Sequence, residues 1–292
     1  MNRRARAAIG QETLGICREG AYTSPRGRRV DISQVLASAV QGTTLHPPGK
    51  SGERRQSRPE DVNDSQRATE FVVRNCTTLA AARDLVREAR WTGGGVLLLN
   101  FASAKNPGGG FLGGSRAQEE SLARSSGLYP CIVPHAEMYD ANRRCGSCLY
   151  TDYMIWSPDV PVFRDDEDQL LEEPYTVSML TVPAVNDGAV RGSDRESIES
   201  TMWRRMLKLL AVTALHEHSD LVLGAWGCGV FKNDATKVAG WFHTALTDPA
   251  YYRNVFRKVV FAVLDWSDER RFIGPFEERF GPAPSATCDS TL

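Results

Sequence analysis

The sequence is organised around Val96-Leu97-Leu98-Leu99-Asn100-Phe101, which is followed by Asn106-Pro107-Gly108-Gly109-Gly110-Phe111-Leu112-Gly113-Gly114 and by Gln118-Glu119-Glu120. The first segment is a short apolar run that predicts a buried strand. Five of the seven residues from 108 to 114 are glycine, which indicates backbone held at positive φ or close to a ligand. The residues after 117 predict a helix that runs to about 129. A strand, a glycine loop and a helix start together favour an anion, because unpaired N–H groups and the helix dipole attract negative charge.

A second glycine loop, Gly227-Cys228-Gly229-Val230-Phe231, follows another apolar run at 221–226. Strands and helices alternate along the chain, and the strands are apolar on both faces. This pattern predicts a three-layer α/β/α domain with a mixed, largely parallel central sheet. Ligands of such sheets bind beyond the C-terminal strand ends, so we expect both loops at the binding edge, holding a diphosphate between them.

The two ends of the chain differ from its centre in composition. Residues 1–68 predict an N-terminal helical region, within which the stretch at about 47–65 lacks apolar residues over most of its length and predicts a mobile loop. Residues 69–281 carry the alternating pattern and form the predicted catalytic domain. We expect the tail at 282–292 to be disordered.

Overall charge argues against a protein that binds duplex nucleic acid. Lys plus Arg number 35 and Asp plus Glu 36, which leaves a formal net charge of −1. The first 30 residues are arginine-rich, which we interpret as a solvated basic surface. No apolar run is long enough to span a membrane, and no secretory signal is apparent, so we expect a cytoplasmic protein.

The cysteine and histidine residues have several possible interpretations. Seven cysteines is an odd number, and without an export signal reduced thiols are the simpler reading. Cys131, His135, Cys145 and Cys148 could supply zinc ligands, and the last two cysteines could form a redox pair. Only one Cys-x2-Cys is present, so we favour plain thiols and expect no metal. A helix over about 195–216 predicts surface positions for the histidines at 216 and 218.

The two adjacent carboxylates, Glu119 and Glu120, are unusual beside an anion site because they repel the ligand. Burial and a bound diphosphate are both expected to raise carboxyl pKa values, which suits a general acid near neutral pH. The alternative is an ordinary pair of first-turn glutamates that complements a helix dipole.

The motif Asn106-Pro107-Gly108-Gly109-Gly110, followed after seven residues by Gln118-Glu119-Glu120, resembles the signature of the bacterial-type poly(ADP-ribose) glycohydrolases, which are macrodomain proteins. The likeness covers about residues 3 to 280. It extends to the segments 12–14, 20–22, 99–105, 125–130, 153–164 and 223–231. Residues 183–186 and 233–235 depart from the expected pattern, which affects only local loop geometry.

The resemblance implies a role for each matched residue. Glu120 is the expected catalytic acid/base, and Glu119 is expected to position the ribose hydroxyls and the bond to be cut. The remaining expected ligand contacts are Asn106, Gly108, Gly109, Gly110, Phe111, Gly113, Gly114, Gln118, Gly227, Cys228, Gly229, Val230 and Phe231. Among them, Asn106 is expected to hydrogen-bond the distal ribose, and Phe231 to pack on it. The expected ligands are poly(ADP-ribose), ADP-ribose and ADP-ribosylated proteins, with no cofactor and a monomeric enzyme.

Three functions remain open at this point: an exo-acting poly(ADP-ribose) glycohydrolase, a hydrolase of mono-ADP-ribosylated protein or nucleic acid, and a macrodomain that binds ADP-ribose without cutting it. Adjacent carboxylates favour an enzyme over a reader. The adenine-binding residues are not identified by the motif. Phe272 and groups near Asp265 are the candidates.

Overall fold

A computed structural model describes residues 1–49, 68–92 and 95–281. The predicted loop at about 47–65 lies mostly outside the described residues, as does the predicted tail at 282–292. The helices are α1 Arg3–Glu19, α2 Ser33–Gly42, α3 Thr78–Thr92, α4 Gln118–Ser125, α5 Leu128–Ile132, α6 Ala136–Arg144, α7 Ile198–Leu215, α8 Ala235–Thr247 and α9 Gly274–Phe280. The strands are β1 Ala21–Thr23, β2 Arg29–Asp31, β3 Thr44–His46, β4 Glu70–Arg74, β5 Gly95–Phe101, β6 Met154–Arg164, β7 Leu170–Val182, β8 His218–Leu223 and β9 Lys258–Ala262.

The described residues form a seven-stranded sheet in the order β3-β6-β7-β5-β8-β9-β4. Neighbouring strands from β7 to β4 run parallel, whereas β6 is antiparallel to both β3 and β7. The predicted mixed, largely parallel sheet is therefore confirmed. β5 and β8 are adjacent and parallel, so the two glycine loops leave the sheet side by side.

The central strand β5 shows why the sheet is covered on both faces. Leu97 and Leu99 pack into a core formed with α7 and α8, whereas Val96 and Leu98 pack into a second core formed with α3, α5 and α6. Successive strand side chains point to opposite faces, so an unbroken apolar run requires a helical layer on each side. This gives the predicted three layers.

The N-terminal region is joined to the rest of the chain by hydrogen bonds and packing. β1 and β2 form a separate two-stranded ribbon, and β3 pairs with β6 as an edge strand of the main sheet. α1 is capped by Asn2, whose side chain accepts a hydrogen bond from the Ala5 amide. This helix packs against the segment Phe111–Gly113, a 3₁₀ turn within the first glycine loop.

Two local predictions differ from the structure. The helix expected to run from 117 to about 129 ends at Ser125 and resumes at Leu128. The Ser126 hydroxyl donates to the Leu122 carbonyl and accepts from the Leu128 amide, and such side-chain bonds compete with the helical pattern. His218, expected at the surface, is buried at the start of β8, where its Nε2 atom accepts a hydrogen bond from the Trp156 indole.

None of the helices in the described part of the chain is both long enough and apolar enough to cross a membrane.

Candidate active site

A cavity of about 950 Å³ lies beyond the carboxyl ends of β5, β8 and β9. Its walls include residues that follow each of these strands: Ser103 after β5, Gly227 to Phe231 after β8, and Leu264 after β9. The start of α4 contributes Gln118, Glu119 and Glu120 to the same cavity. The structure therefore brings the two glycine loops and the carboxylate pair together at one edge of the sheet.

The first glycine loop turns through two residues with left-handed backbone, Gly108 at φ 69° and Gly109 at φ 60°. A side chain at position 109 would also have no room, because an added Cβ would clash with Oε1 of Glu120 and lie 3.1 Å from Oε2 of Glu119. Glycine at this position thus allows the loop backbone to touch both carboxylates.

Glu119 is buried, with 3% of its surface exposed. Its Oε2 atom accepts a 2.6 Å hydrogen bond from the Ser103 amide, and its Oε1 atom lies 3.5 Å from Nδ2 of Asn100. Burial raises the pKa of Glu119 to about 8, and the Glu120 charge adds to this rise against the opposing hydrogen bonds. One of the two carboxyls is therefore held largely neutral at pH 7.

Glu120 is half-buried and faces the cavity. Its Oε1 atom accepts a 3.0 Å hydrogen bond from the Gly110 amide, which ties the carboxylate to the first glycine loop. Glu120 thus combines access to the cavity with a fixed position, as an acid/base group requires.

Gln118 sets the start of α4 relative to the sheet. Its side-chain oxygen accepts from the Phe101 amide at 2.8 Å, and its Nε2 group donates to the Leu99 carbonyl at 2.7 Å and to the Thr78 hydroxyl at 3.2 Å. All three partners are protein groups. The side chain lines the cavity, and it also orients the carboxylate pair by joining α4 to β5 and α3.

The second glycine loop is held in shape by Asn233. The Asn233 side chain donates to the carbonyls of Val185, at 2.7 Å, and Gly227, at 3.1 Å. Gly227 has φ 76°, and a Cβ there would lie 2.6 Å from Ala184. Nothing lies within 4 Å of the position that a Cβ at Gly229 would take, so the loop backbone is open on that side.

The predicted site residues divide into two groups. Those that line the cavity are Asn106, Gly109, Gly110, Gln118, Glu119, Glu120, Gly227, Cys228, Gly229, Val230 and Phe231. Those outside its lining are Gly108, Phe111, Gly113 and Gly114.

The second group packs against the N-terminal helix or the protein interior. Phe111 is buried, and its ring centroid lies 5.0 Å from that of Tyr129. Arg3 and Arg6 of α1 donate to the carbonyls of Gly113, at 2.8 Å, and Gly114, at 3.0 Å. Gly108, Phe111, Gly113 and Gly114 thus lie on the side of the loop that faces away from the cavity.

One end of the cavity was only weakly indicated by the sequence. Phe272 lines this end together with Leu264. The buried Asp265 carboxylate holds the loop between them, since it accepts hydrogen bonds from the Ser267, Phe272 and Ile273 amides. Burial opposes ionisation of Asp265, but a hydrogen bond from the Ser267 hydroxyl and those from the three amides prevail and lower its pKa to about 2. In the sequence, the only indication that this loop reaches the site was its position directly after the last strand.

Further residues on the cavity wall were missed by the sequence analysis. Arg6 at the N-terminus and Arg116 before α4 reach the cavity, as do Asp165, Asp166 and Asp168 of the turn between β6 and β7. Their positions depend on contacts between distant segments, such as the salt bridge between Arg124 and Asp168 at 3.1 Å. No local motif marks them.

The site offers an anion cradle and acid/base chemistry.

Within residues 1–49, 68–92 and 95–281, no group of three or more histidine, cysteine, aspartate or glutamate side chains could hold a metal ion. Cys131 is buried and donates to the Gly127 carbonyl, whereas Cys145 is exposed. The zinc set considered from the sequence is thus not assembled.

The comparisons with known proteins agree with this geometry. A family model described as the catalytic domain of microbial-type PARG matches residues 10–165. The chain is similar to a poly(ADP-ribose) glycohydrolase from Thermomonospora curvata bound to the inhibitor ADP-HPD, with 46% identity, 95% of this chain and 100% of that chain covered, and a TM-score of 0.84. It is also similar to a poly(ADP-ribose) glycohydrolase from Deinococcus radiodurans in complex with ADP-ribose, with 42% identity, coverage of 84% and 96%, and a TM-score of 0.74. A search of curated protein sequences finds no match.

Proposed function

This chain belongs to the microbial-type poly(ADP-ribose) glycohydrolase family and is a poly(ADP-ribose) glycohydrolase, and we propose that it works mainly from the ends of the polymer, with Glu120 as its general acid/base. The observation that carries the proposal is the Glu120 carboxylate, which lines the cavity and is fixed by the Gly110 amide at 3.0 Å. The bond cut is the O-glycosidic bond between two riboses of the polymer.

We place the terminal ADP-ribose unit in the cavity with its distal ribose beside the carboxylates. Its diphosphate lies between the two glycine loops, where backbone N–H groups can donate to the phosphate oxygens. Its distal ribose lies against Asn106 and Phe231, beside the carboxylates. Its adenine lies at the opposite end against Phe272, because an aromatic face suits a base and Leu264 supplies apolar contact.

Bond cleavage then uses one carboxyl for both proton transfers. Glu120 protonates the 2′-oxygen of the adjoining unit as the bond from that oxygen to the distal ribose breaks. It then takes a proton from the water that attacks the ribose carbon. The substrate's own diphosphate stabilises the positive charge that develops on this ribose.

Glu119 has a different role from Glu120. Adjacent helical residues point roughly 100° apart, so the pair cannot stand on opposite faces of one sugar ring as glycosidase carboxylates commonly do. Both Glu119 oxygens face protein donors, the amide of Ser103 and the side chain of Asn100. This argues against Glu119 as the proton-transfer group and leaves the proton transfers to Glu120. Glu119 also lines the cavity, and we propose that it positions the ribose hydroxyls.

A time course of products tests the end-directed mode. Poly(ADP-ribose) of defined length is treated with a small amount of enzyme, and the products are separated by length. We expect free ADP-ribose as the first product, with gradual shortening of the polymer. Early release of oligomers of intermediate length would contradict the mode of attack but not the glycohydrolase activity.

A parallel assay with mono-ADP-ribosylated protein tests whether the enzyme also removes the last unit. ADP-ribosylated proteins are partners that we propose because they carry the polymer. If the enzyme releases ADP-ribose from polymer but not from mono-ADP-ribosylated protein, its leaving group must be another ADP-ribose unit.

A further inference from the structure

An aromatic side chain lies just outside the end of the cavity that we assign to the distal ribose. The ring centroid of Tyr150 is 6.0 Å from that of Phe231, and the two ring planes are inclined at 44°. Phe231 lines the cavity, whereas Tyr150 does not. Tyr150 is half-buried and has a left-handed backbone at φ 58°, an unfavourable conformation for a residue with a bulky side chain. Such strain is common at functional sites, where the surrounding structure maintains it.

One exposed lysine lies beside the Tyr150 ring, and a second lies next to Phe231 in the chain, with its stem against Gly188. The Lys105 ammonium lies 6.0 Å from the centroid of the Tyr150 ring, and Lys232 follows Phe231 directly in the chain. Among the residues that the structure describes, no carboxylate forms an ion pair with either lysine. The nearby Arg143, by contrast, pairs with Asp140 at 2.8 Å and also donates to the Lys105 carbonyl. Two positive charges are thus left available to an outside anion.

The position of this group relative to the scissile bond follows from the chain itself. Lys105 precedes Asn106, and Lys232 follows Phe231, the two residues that we place against the distal ribose. The adjoining unit of the polymer is attached to that ribose, so it must leave the cavity past these residues. Each unit carries an adenine and a diphosphate, which an aromatic ring and two ammonium groups can bind.

We propose that Tyr150, Lys105 and Lys232 form a leaving-group subsite that binds the adjoining ADP-ribose unit of the polymer. Tyr150 stacks on its adenine, and the lysines attract its diphosphate. This inference rests on the proposed direction of the substrate in the cavity. The subsite favours hydrolysis of a bond to a second ADP-ribose unit over hydrolysis of a bond to a small alcohol, because only the ADP-ribose unit contacts this surface.

The experiment compares two substrates that share the terminal unit and differ in the leaving group. One is poly(ADP-ribose), and the other is ADP-ribose joined at the same ribose carbon to a small aliphatic alcohol, with released ADP-ribose as the readout for both. The Tyr150→Ala variant is expected to lose about 5- to 100-fold in kcat/KM on polymer, the range for loss of one base-stacking contact. Its kcat/KM on the alkyl substrate is expected to stay within about twofold of the wild type, since that leaving group has no ring to stack on Tyr150.

Further variants separate the ring from the charge and from folding. Tyr150→Phe retains the ring and is expected to hydrolyse polymer like the wild type. Lys105→Ala is expected to raise KM for polymer and to weaken its dependence on salt. Arg87→Ala is the matched charge control, because Arg87 is exposed on α3, away from the N-terminal end of that helix at the cavity. It is expected to leave KM for polymer and its salt dependence unchanged.

The outcomes distinguish this inference from the proposed function. Equal losses on both substrates in Tyr150→Ala would overturn the subsite, because they would show that Tyr150 only supports Phe231. Wild-type kinetics on polymer in both Tyr150→Ala and Lys105→Ala would overturn it as well. A wild-type enzyme that cleaves neither substrate would instead contradict the proposed function.

Discussion

At the scale of single residues, the site depends on a glycine that permits contact between a loop and two carboxyl groups. Gly109 combines a left-handed backbone with close approach to both Glu119 and Glu120. Either property alone would favour glycine. Together they explain why glycine stands at the point where the first loop meets the carboxylate pair.

We predict that Gly109→Ala lowers kcat on polymer by roughly 100-fold or more, because displaced catalytic groups commonly cost about that much. The measurement is the initial rate of ADP-ribose release, with thermal unfolding as a check on the fold. Gly113→Ala is the matched control. Gly113 is exposed, and a Cβ there would meet only the Arg3 side chain, 3.8 Å away. Equal rates in the two variants would contradict this account of the loop.

At the scale of elements, the loop between β9 and α9 is anchored at Asp265 through both its carboxylate and its backbone. Asp265 accepts from the Ser267 hydroxyl at 2.6 Å and from the Phe272 amide at 2.7 Å. Asn75, just after β4, also donates to the Asp265 carbonyl at 2.8 Å and accepts from its amide at 3.0 Å. The position of Phe272 in the cavity therefore depends on Asp265.

We predict that Asp265→Asn weakens ADP-ribose binding by about 10-fold, since an amide cannot replace both carboxylate acceptors and charged hydrogen bonds contribute about 1.5–3 kcal/mol. Calorimetric titration measures the effect. Asp268→Asn, an equivalent change at an exposed position in the same loop, is expected to bind normally. If Asp265 acts by positioning the Phe272 ring, Asp265→Asn should cause little further loss of ADP-ribose affinity in a protein that already carries Phe272→Ala. Additive effects would contradict that route.

The elements also show how far the sequence could predict the fold. The apolar run at 96–101 and the strand-like segment at 221–226 were sufficient for a buried parallel sheet, and adjacency of the two glycine loops followed from the architecture. The break between α4 and α5 was missed because the Ser126 hydroxyl competes with the helix. The clamp of Arg3 and Arg6 on the glycine loop was missed because it joins segments more than 100 residues apart.

The candidate site was predictable to a similar extent. The motif identified the residues that line the cavity around Glu119 and Glu120. It did not separate those residues from Gly108, Phe111, Gly113 and Gly114, since a glycine loop has two sides and only the tertiary structure shows which side faces the cavity. The aspartates of the β6–β7 turn carry no local signal at all.

At the scale of the whole molecule, the buried carboxyl of Glu119 links the site to stability. Its folded pKa of about 8 is above the ordinary value of 4.5, so the native state holds a proton that the unfolded state releases above pH 4.5. The resulting stabilisation is complete below pH 4.5 and is lost as pH rises through 8. The active site therefore lowers stability at alkaline pH.

We predict that the free energy of unfolding of the wild type falls by about 1–2 kcal/mol between pH 6.5 and pH 8 through this residue. Glu119→Gln is neutral at both pH values and should remove that slope. Urea unfolding of wild type and variant at the two pH values measures this change in the free energy of unfolding. Glu137→Gln, at an exposed position in α6, should keep the wild-type slope. An unchanged slope in Glu119→Gln would show that Glu119 is ionised in the folded enzyme.

Hydrolysis as we propose it depends on Glu120 as the group that transfers protons in a cleft that binds ADP-ribose. The most direct measurement is single-turnover hydrolysis of poly(ADP-ribose) by Glu120→Gln, with ADP-ribose binding measured on the same preparation. We expect binding within a few-fold of the wild type and hydrolysis slower by about 10²–10⁴-fold, the usual contribution of a general acid/base. Hydrolysis at a rate near that of the wild type, with normal binding, would contradict the assignment.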